Sequence, residues 1–505
     1  MKNNAKKYLV TFEESYMPSD KVEEVLGLGK RNYQEGVSFL ASDKEPQDDD
    51  VLSFEEVGIA SLTLTQTELA KLKKNKNIMA VEEDIEMSIL EVEDAVLDET
   101  DIDFMEDIDS MIDHGHNGDL DTYDEFAFNG DLDSYMEQDA YPYENLPLAA
   151  PEINLYQQGA KEMMRFVLKS LASSDIAEDP SYYQEDTQAL PLPRPPFYRY
   201  PFPIPRFPLR PLPRPRPQPT PWNINLVRAP QAWRRGITGR GVKVAVLDTG
   251  IARHPDLTIR GGVSFIPGVT SYNDGHSHGT HCAGIIAARN NFRGVVGVAP
   301  DASLYAVKVL SDSGSGRSSW IIAGMNWCIA NRIDVASMSL GGTSGPSVAY
   351  AQAIRRCQNA NVTVVIASGN SFGSSFPWVC APANSVITGS PVASPIAVGA
   401  IDRRCRIGSF SSRGGRSTPW NQVDVVAPGI SVNSTILNNR YGSKTGTSMA
   451  CPHVAGAAVL IKQRFRTISP LQIKARLQRT AYDLGRRGYD STYGSGLINC
   501  DLATR

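Results

Sequence analysis

The sequence predicts an α/β protein: a parallel sheet with helices on both faces, preceded by a small α+β unit and a disordered linker. Three observations carry this. From residue 222 onward, strand-like runs at 242–247, 304–309, 335–339, 362–366 and 396–398 alternate with helix-spaced segments, the pattern of parallel strands joined by helical crossovers. Ahead of them, 191–221 holds 14 prolines and 6 arginines. Ahead of that, 91–190 carries 27 acidic side chains against 3 basic ones.

A chain of 505 residues exceeds one ordinary core, and composition divides this one into four. In 1–90, Tyr8-Leu9-Val10-Thr11-Phe12 and Ile59-Ala60-Ser61-Leu62-Thr63-Leu64 alternate as half-buried strands. A short helix entered through a Thr is expected at 67–74, and a further strand within 78–87. The segment 91–190 repeats Asn117-Gly-Asp-Leu-Asp-Thr-Tyr123 as Asn129-Gly-Asp-Leu-Asp-Ser-Tyr135. The repeat lacks the spacing of a helix–loop–helix calcium site, so a solvated linker is the better reading. His114 and His116 beside these acids make a weak metal site at best, and 157–173 has the spacing of an isolated amphipathic helix. In 191–221, proline at every second or third position removes donors and fixes an extended spacer. Residues 222–505 form the sheet domain, with its ligand site expected at the C-terminal ends of the strands.

Charge follows the same division. Residues 91–190 have a net charge of −24, and residues 191–505, with 36 basic and 11 acidic side chains, of +25. No run approaches the roughly 18 apolar residues that cross a bilayer, so no membrane span is expected. Behind Met1-Lys2-Asn3-Asn4-Ala5-Lys6-Lys7 comes no apolar stretch of the Sec signal type. A cytoplasmic location or a non-Sec export route is therefore expected. Seven cysteines, none before Cys282, argue against a disulfide framework.

Three residues carry the chemistry. Asp248 ends the run Val242-Lys-Val-Ala-Val-Leu247, where a carboxylate is costly without a partner. Alone it reads as a turn residue. His278 opens a helix of small residues in His278-Gly-Thr-His281-Cys-Ala-Gly284, and Ser448 lies in Gly446-Thr-Ser448-Met-Ala-Cys-Pro-His453 ahead of an apolar run. That places Ser448 in a first helical turn, facing backbone N–H groups and the positive dipole end; Pro452 is compatible with that early turn. The order Asp…His…Ser matches one of three unrelated arrangements of a hydrolytic triad.

These blocks, Val244-Ala-Val-Leu-Asp248-Thr-Gly250, His278-Gly-Thr-His281 and Gly446-Thr-Ser448-Met-Ala450, resemble the signatures of the subtilisin family. The likeness runs from about 217 to 505 and includes Val298-Ala-Pro300, Leu304-Tyr-Ala-Val-Lys-Val309 and Tyr493-Gly-Ser-Gly-Leu497. The resemblance implies a serine endopeptidase that cuts polypeptides, with Ser448 as nucleophile, His278 as general base and Asp248 holding its imidazole. It implies Asn370 as oxyanion donor alongside the Ser448 N–H. Ser339, Leu340 and Gly341, and Ala367, Ser368 and Gly369, resemble the two backbone segments that bind an extended peptide as an added strand. The segment 371–390 is longer than the family's usual loop beside the pocket for the residue before the cut.

The family's structural calcium ion has matching side chains in Gln218, Asp256 and Asn291, with carbonyls from Arg289, Arg293 and Val295. Cys282 resembles the cysteine of the thiol-containing branch, beneath the catalytic His; it is not expected to be a nucleophile, but a bound mercurial would displace His278. His276, His281 and His453 are not expected to be catalytic. Residues 8–90 resemble the inhibitory propeptide, Val81-Glu-Glu-Asp84 most strongly, and the resemblance implies a tail running through Met87-Ser88-Ile89-Leu90 into the active site, with the first self-cleavage at or within a residue or two of Leu90. Unusually, 91–216 separates this unit from the catalytic domain. The protein is thus expected to be a monomeric, self-inhibited zymogen whose own propeptide is its intramolecular inhibitor. Once trimmed, its basic half is expected to adhere to anionic surfaces. The alternatives are a dedicated maturase of one precursor and a peptide-binding pseudoprotease.

Overall fold

A run such as Val244-Ala-Val-Leu247, apolar at every position, needs cover above and below, which a helix-flanked parallel sheet supplies. The computed structural model describes residues 5–13, 22–92, 218–386, 394–415 and 422–505. The acidic segment, with its repeat, its His114/His116 pair and its 157–173 pattern, and the proline-rich 191–217 lie outside the described residues.

The N-terminal region runs β1 (Lys6–Phe12), α1 (Val22–Leu26), β2 (Asn32–Glu35), α2 (Gly36–Leu40), β3 (Asp50–Phe54), β4 (Ile59–Leu64), α3 (Gln66–Leu72), β5 (Ile78–Glu83) and β6 (Glu86–Ile89). The first five strands form one sheet in the order β2-β3-β4-β1-β5. The expected helix is present, but it is entered through Thr65. The Thr65 side chain accepts from the Glu68 N–H while the Glu68 carboxylate accepts from the Thr65 N–H, closing a capping box that fixes the start.

The larger region opens with α4 (Trp222–Leu226) and α5 (Ala229–Trp233). There follow β7 (Lys243–Asp248), β8 (Ile259–Ser264), α6 (His278–Ala287), β9 (Ser303–Lys308), β10 (Ser315–Arg317), α7 (Ser318–Ala330), β11 (Val335–Met338), β12 (Leu340–Gly341), α8 (Val348–Asn359), β13 (Thr363–Ala367), β14 (Ile396–Ile401) and β15 (Val425–Pro428). The hairpin β16 (Val432–Ile436) and β17 (Arg440–Lys444) leads to α9 (Thr447–Arg464), α10 (Pro470–Arg479) and α11 (Cys500–Ala503). Seven strands form the main sheet in the order β15-β14-β13-β11-β7-β9-β8, and every neighbouring pair is parallel. The five strands read from the sequence are all in it. Helix α9 is buried without interruption from Thr447 to Lys462, as a helix packed between a sheet and its neighbours must be.

The two regions meet along helices α7 and α8. Glu82 accepts hydrogen bonds from the first N–H groups of α8, Val348 at 3.1 Å and Ala349 at 2.7 Å. Asp84, almost wholly buried, accepts from Ser319 N (3.0 Å) and Ser319 Oγ (2.7 Å) at the start of α7. Each carboxylate thus satisfies helix-end donors that would otherwise lack partners.

Candidate active site

Asp248 is the last residue of β7, and two neighbours hold its Oδ1: Thr249 N at 2.7 Å and His278 Nδ1 at 2.7 Å. His278 is the first residue of α6, so a strand end and a helix start converge on one buried hydrogen bond. The approach is close enough to demand a glycine next to the histidine. A Cβ on Gly279 would run into the Gly250 carbonyl and lie 3.1 Å from Asp248 Cβ. Burial works against an imidazolium at His278, but the Asp248 carboxylate outweighs it and holds the group well above its ordinary value. Cys282, whose Sγ lies 4.0 Å from His278 Nδ1, is pushed up by its own burial and stays a neutral thiol. Its place beneath the histidine is the expected one. The donor atoms of Asp248, His278 and Cys282 lie within 4.8 Å of one another, within reach of one thiophilic ion.

Ser448 is the second residue of α9. Pro452 therefore falls in the second turn, not the first as the sequence suggested. Lacking an N–H, it cannot bond to the carbonyl four residues back, which belongs to Ser448. That carbonyl instead accepts from Ser339 Oγ at 2.8 Å and lies 3.5 Å from Cys282 Sγ. The proline costs the helix one hydrogen bond and frees an acceptor that ties the serine's backbone to two neighbouring segments.

The tail of the N-terminal region enters this site. Strand β6 lies between β10 and β12 and is antiparallel to both. Leu90 follows it: its N–H lies 3.2 Å from Ser448 Oγ, and its carbonyl accepts from the Ser448 N–H at 3.3 Å. The Ser448 hydroxyl donates to Ser339 O at 3.1 Å. Among the described residues His278 Nε2 and Asn370 Nδ2 are buried without a hydrogen-bond partner. Asn370 is oriented by its Oδ1, which accepts from Thr447 N (2.9 Å) and Thr447 Oγ1 (2.8 Å). Gly446, at φ +151°, leaves room for the Leu90 carbonyl, which a Cβ there would strike.

Leu340 and Gly341 lie along the tail, and Ser339 just before them accepts from the Ser448 hydroxyl. Leu340 pairs with Ile89 and Gly341 with Ser88, and a Cβ on Gly341 would lie 3.2 Å from Leu90 Cδ1. The other rail of the ladder is not Ala367, Ser368 and Gly369 but Ser315–Arg317. The reason is that the backbone groups of Ser368 and Gly369 are already taken. Ser368 N–H bonds to Val398 O and its carbonyl accepts from Cys380; Gly369 N–H bonds to Thr447 Oγ1 and its carbonyl accepts from Ser412. The described part of the long segment, 371–386, joins beside the first rail, where Gly342 and Ala381 exchange backbone hydrogen bonds.

Sequence reasoning missed Asp274. It is buried and its two oxygens accept from Thr249 Oγ1 (2.9 Å), His276 N (2.8 Å), Ser277 N (3.0 Å), Thr280 N (2.9 Å) and Thr280 Oγ1 (2.6 Å). It ties the end of β7 to the start of α6 and so fixes the Asp248–His278 spacing. His276 packs edge-on to His278 with its Nδ1 buried and, among the described residues, unpartnered, whereas His281 and His453 have structural partners. His281 Nε2 faces Val432 O (2.9 Å) and Gly442 O (3.0 Å), and burial together with the Lys444 charge lowers its pKa to about 3. His453 donates from Nδ1 to Met449 O at 2.8 Å while Nε2 accepts from Asn223, and burial lowers it to about 4.

The expected calcium ligands also come together. Gln218 Nε2 donates to Arg293 O (2.5 Å) and Val295 O (2.8 Å), while its Oε1 accepts from Asn291 N (2.8 Å) and Phe292 N (3.0 Å). Asn291 Nδ2 donates to Asp256 Oδ1 at 2.9 Å, and Arg289 N–H donates to Asp256 O. The donor set is oxygen-rich and fits a hard cation. Turning the Gln218 amide over would face its oxygen toward two carbonyl oxygens, a cluster that a cation would hold together.

The arrangement can remove a serine proton, stabilise an oxyanion and hold an extended peptide. The chain matches the Subtilase family over residues 239–496. It is 50% identical over 284 residues to an alkaline protease of Alkalihalobacillus alcalophilus, covering 56% of this chain and 70% of that protein. It is equally identical over 284 residues to Subtilisin Savinase of Lederbergia lenta, covering 98% of that protein. Subtilisin E of Bacillus subtilis (strain 168) is 47% identical over 288 residues, with 71% of that protein covered.

Proposed function

This chain belongs to the subtilase family and is a serine endopeptidase, and on that premise we propose that it is made as a zymogen whose own tail fills its active site until the Leu90–Glu91 bond is cut. Ser448 Oγ turns from Ser339 O toward His278 Nε2, gives up its proton there and attacks the Leu90 carbonyl carbon. Asp248 holds the imidazole by Nδ1 and stabilises the cation that forms. The developing oxyanion is met by the Ser448 N–H and by Asn370 Nδ2. In subtilisin, loss of the corresponding Asn donor costs roughly 10²–10³ in turnover. His278 then protonates the Glu91 nitrogen as it leaves, and water hydrolyses the ester left on Ser448.

One set of contacts carries the reading. The Leu90 carbonyl lies on the Ser448 N–H, and the two groups the reaction still needs, Asn370 Nδ2 and His278 Nε2, are each buried without a hydrogen-bond partner among the described residues. The test is N-terminal sequencing of the self-processed chain, where a fragment beginning Glu91-Val92-Glu93 is expected. A sole early cut near residue 217 would overturn the assignment of the junction.

Gln218, Asp256, Asn291 and the Arg289, Arg293 and Val295 carbonyls would hold the structural calcium ion, whose part is to brace the region where the catalytic domain begins. The Ser448→Ala chain is expected to melt several degrees higher with calcium than with chelator; identical curves would speak against the site. Removing 91–190 also removes the −24 that offsets the +25 of 191–505. The trimmed enzyme is therefore expected to bind anionic surfaces, less tightly as salt rises. Equal retention of full-length and trimmed Ser448→Ala protein on a cation exchanger would sink this.

A further inference from the structure

Beyond the bond to be cut, the chain continues along the hairpin. Val92 N–H donates to Thr445 O at 2.9 Å, and the two residues pair antiparallel. This register brings the side chain of Glu91, the first residue on the leaving side, onto Lys444, the last residue of β17. Lys444 Nζ lies 2.7 Å from Glu91 Oε1, with side-chain exposures of only 15% and 20%.

We propose that Lys444 is a specificity-determining residue that selects an acidic side chain immediately after the scissile bond, so that this enzyme prefers polypeptides cut between an apolar residue and an acid. The inference rests on the reading that Leu90–Glu91 is the first bond cleaved.

Two features make Lys444 a fixed cation. It ends a strand in register with Val432, and the buried His281 ring bonds to the Val432 and Gly442 carbonyls, bracing the hairpin across both strands. The Lys444 charge is itself part of why His281 stays neutral, so that ring adds no second positive charge beside the ammonium. Among the described residues no acid other than Glu91 pairs with Lys444. When the leaving side is empty, a half-shielded ammonium therefore faces the place where the next residue must lie. An acid there gains a charge-assisted hydrogen bond, a neutral amide a weaker one, and a basic residue is repelled. The apolar half of the preference comes from Leu90 packed against Gly341.

The test uses the self-processed enzyme from the full chain and quenched peptides with Met-Ser-Ile-Leu before the bond and Glu-Val, Gln-Val or Lys-Val after it. The expected order in kcat/KM is Glu, then Gln, then Lys, each step roughly tenfold at low salt. Lys444→Glu should reverse the order and Lys444→Met should flatten it. Glu91→Lys combined with Lys444→Glu should restore the self-cleavage that either change alone slows. If the variants fail to fold, the wild-type enzyme still decides: the Glu-to-Lys ratio should narrow as salt is raised. Indifference of the wild type to these three residues, or an unchanged order in Lys444→Glu, would overturn the proposal. A self-processing site elsewhere with the peptide order intact would instead overturn the junction and leave the role of Lys444 standing.

Discussion

The seven-stranded sheet of the larger region is covered on both faces by helices of the same region, whereas the five-stranded sheet of the N-terminal region supplies its own cover on one face only. Tyr8, Val10, Phe12, Leu62 and Leu64 pack with Val22, Val25 and Leu26 in a core of their own. The alternate residues Leu9, Leu52, Phe54 and Ile59 join the core of the larger region instead, under α7 and α8. Because strand side chains alternate, one short sheet serves as half a domain and half an interface. On that second face Thr11 Oγ1 and Ser61 Oγ are buried without hydrogen-bond partners among the described residues. The difference teaches that the larger region is covered by its own helices while the N-terminal region depends on the larger one for half its cover, as the proposed zymogen requires of a part to be given up.

The comparison is broken most severely at Ser448. Ser448→Ala should cut peptide hydrolysis by about 10⁶, the size measured in subtilisin, and adding His278→Ala should cost little more. Both regions should stay joined and uncut, read by hydrolysis and by mass spectrometry of the intact chain. Self-cleavage at the wild-type rate in pure Ser448→Ala protein would refute the assignment.

Acid should divide the regions next. His281 and His453 stay neutral in the fold down to about 3 and about 4, while in the unfolded chain they take up protons near 6.5. The unfolded state therefore binds more protons below that pH, and stability falls as pH drops from about 6.5 toward 4, by on the order of several kcal/mol. No histidine precedes residue 114, and all six tryptophans follow residue 218. Tryptophan fluorescence of the Ser448→Ala chain in urea should thus show the loss in the larger region. Equal midpoints at pH 6.5 and 4.5 would contradict it. Activity has the opposite dependence on a histidine shift: with His278 held well above its ordinary value, the acid limb of kcat/KM should lie above pH 6.5.

The clasp between the regions can be loosened or tightened by smaller amounts. Asp84→Ala removes the acceptor for Ser319 N and Oγ and should weaken the hold of the tail by about 1 kcal/mol. Activity should then appear several-fold sooner in a processing time course; an unchanged lag would mean the cap contributes nothing. Thr11→Val with Ser61→Ala works in the other direction, since removing a buried hydroxyl without a partner is worth up to about 1 kcal/mol. A longer lag is expected, and a shorter one would show that these hydroxyls are satisfied in solution.

The residues proposed for catalysis could be picked out because each belongs to a short local motif whose chemistry needs neighbours in sequence: a carboxylate closing an apolar strand, a histidine beside the glycine that lets it approach, a serine opening a buried helix. The apolar strands of the main sheet were legible for the same reason, since burial on both faces is printed in their composition. The rail at Ser315–Arg317, the knot at Asp274 and the pairing of Lys444 with Glu91 were not. A peptide rail is defined by which backbone donors and acceptors remain unused, and only folding showed that those of Ser368 and Gly369 are taken. Leu90 meets Ser448 across 358 residues of sequence; the family resemblance led one to expect that meeting, which no periodicity or propensity could have supplied. Residue types and local spacing determined what chemistry this chain carries, and family resemblance pointed to the segment that fills the site; the tertiary structure decided which rails and side chains hold that segment, because long-range contacts depend on geometry that short-range forces do not encode.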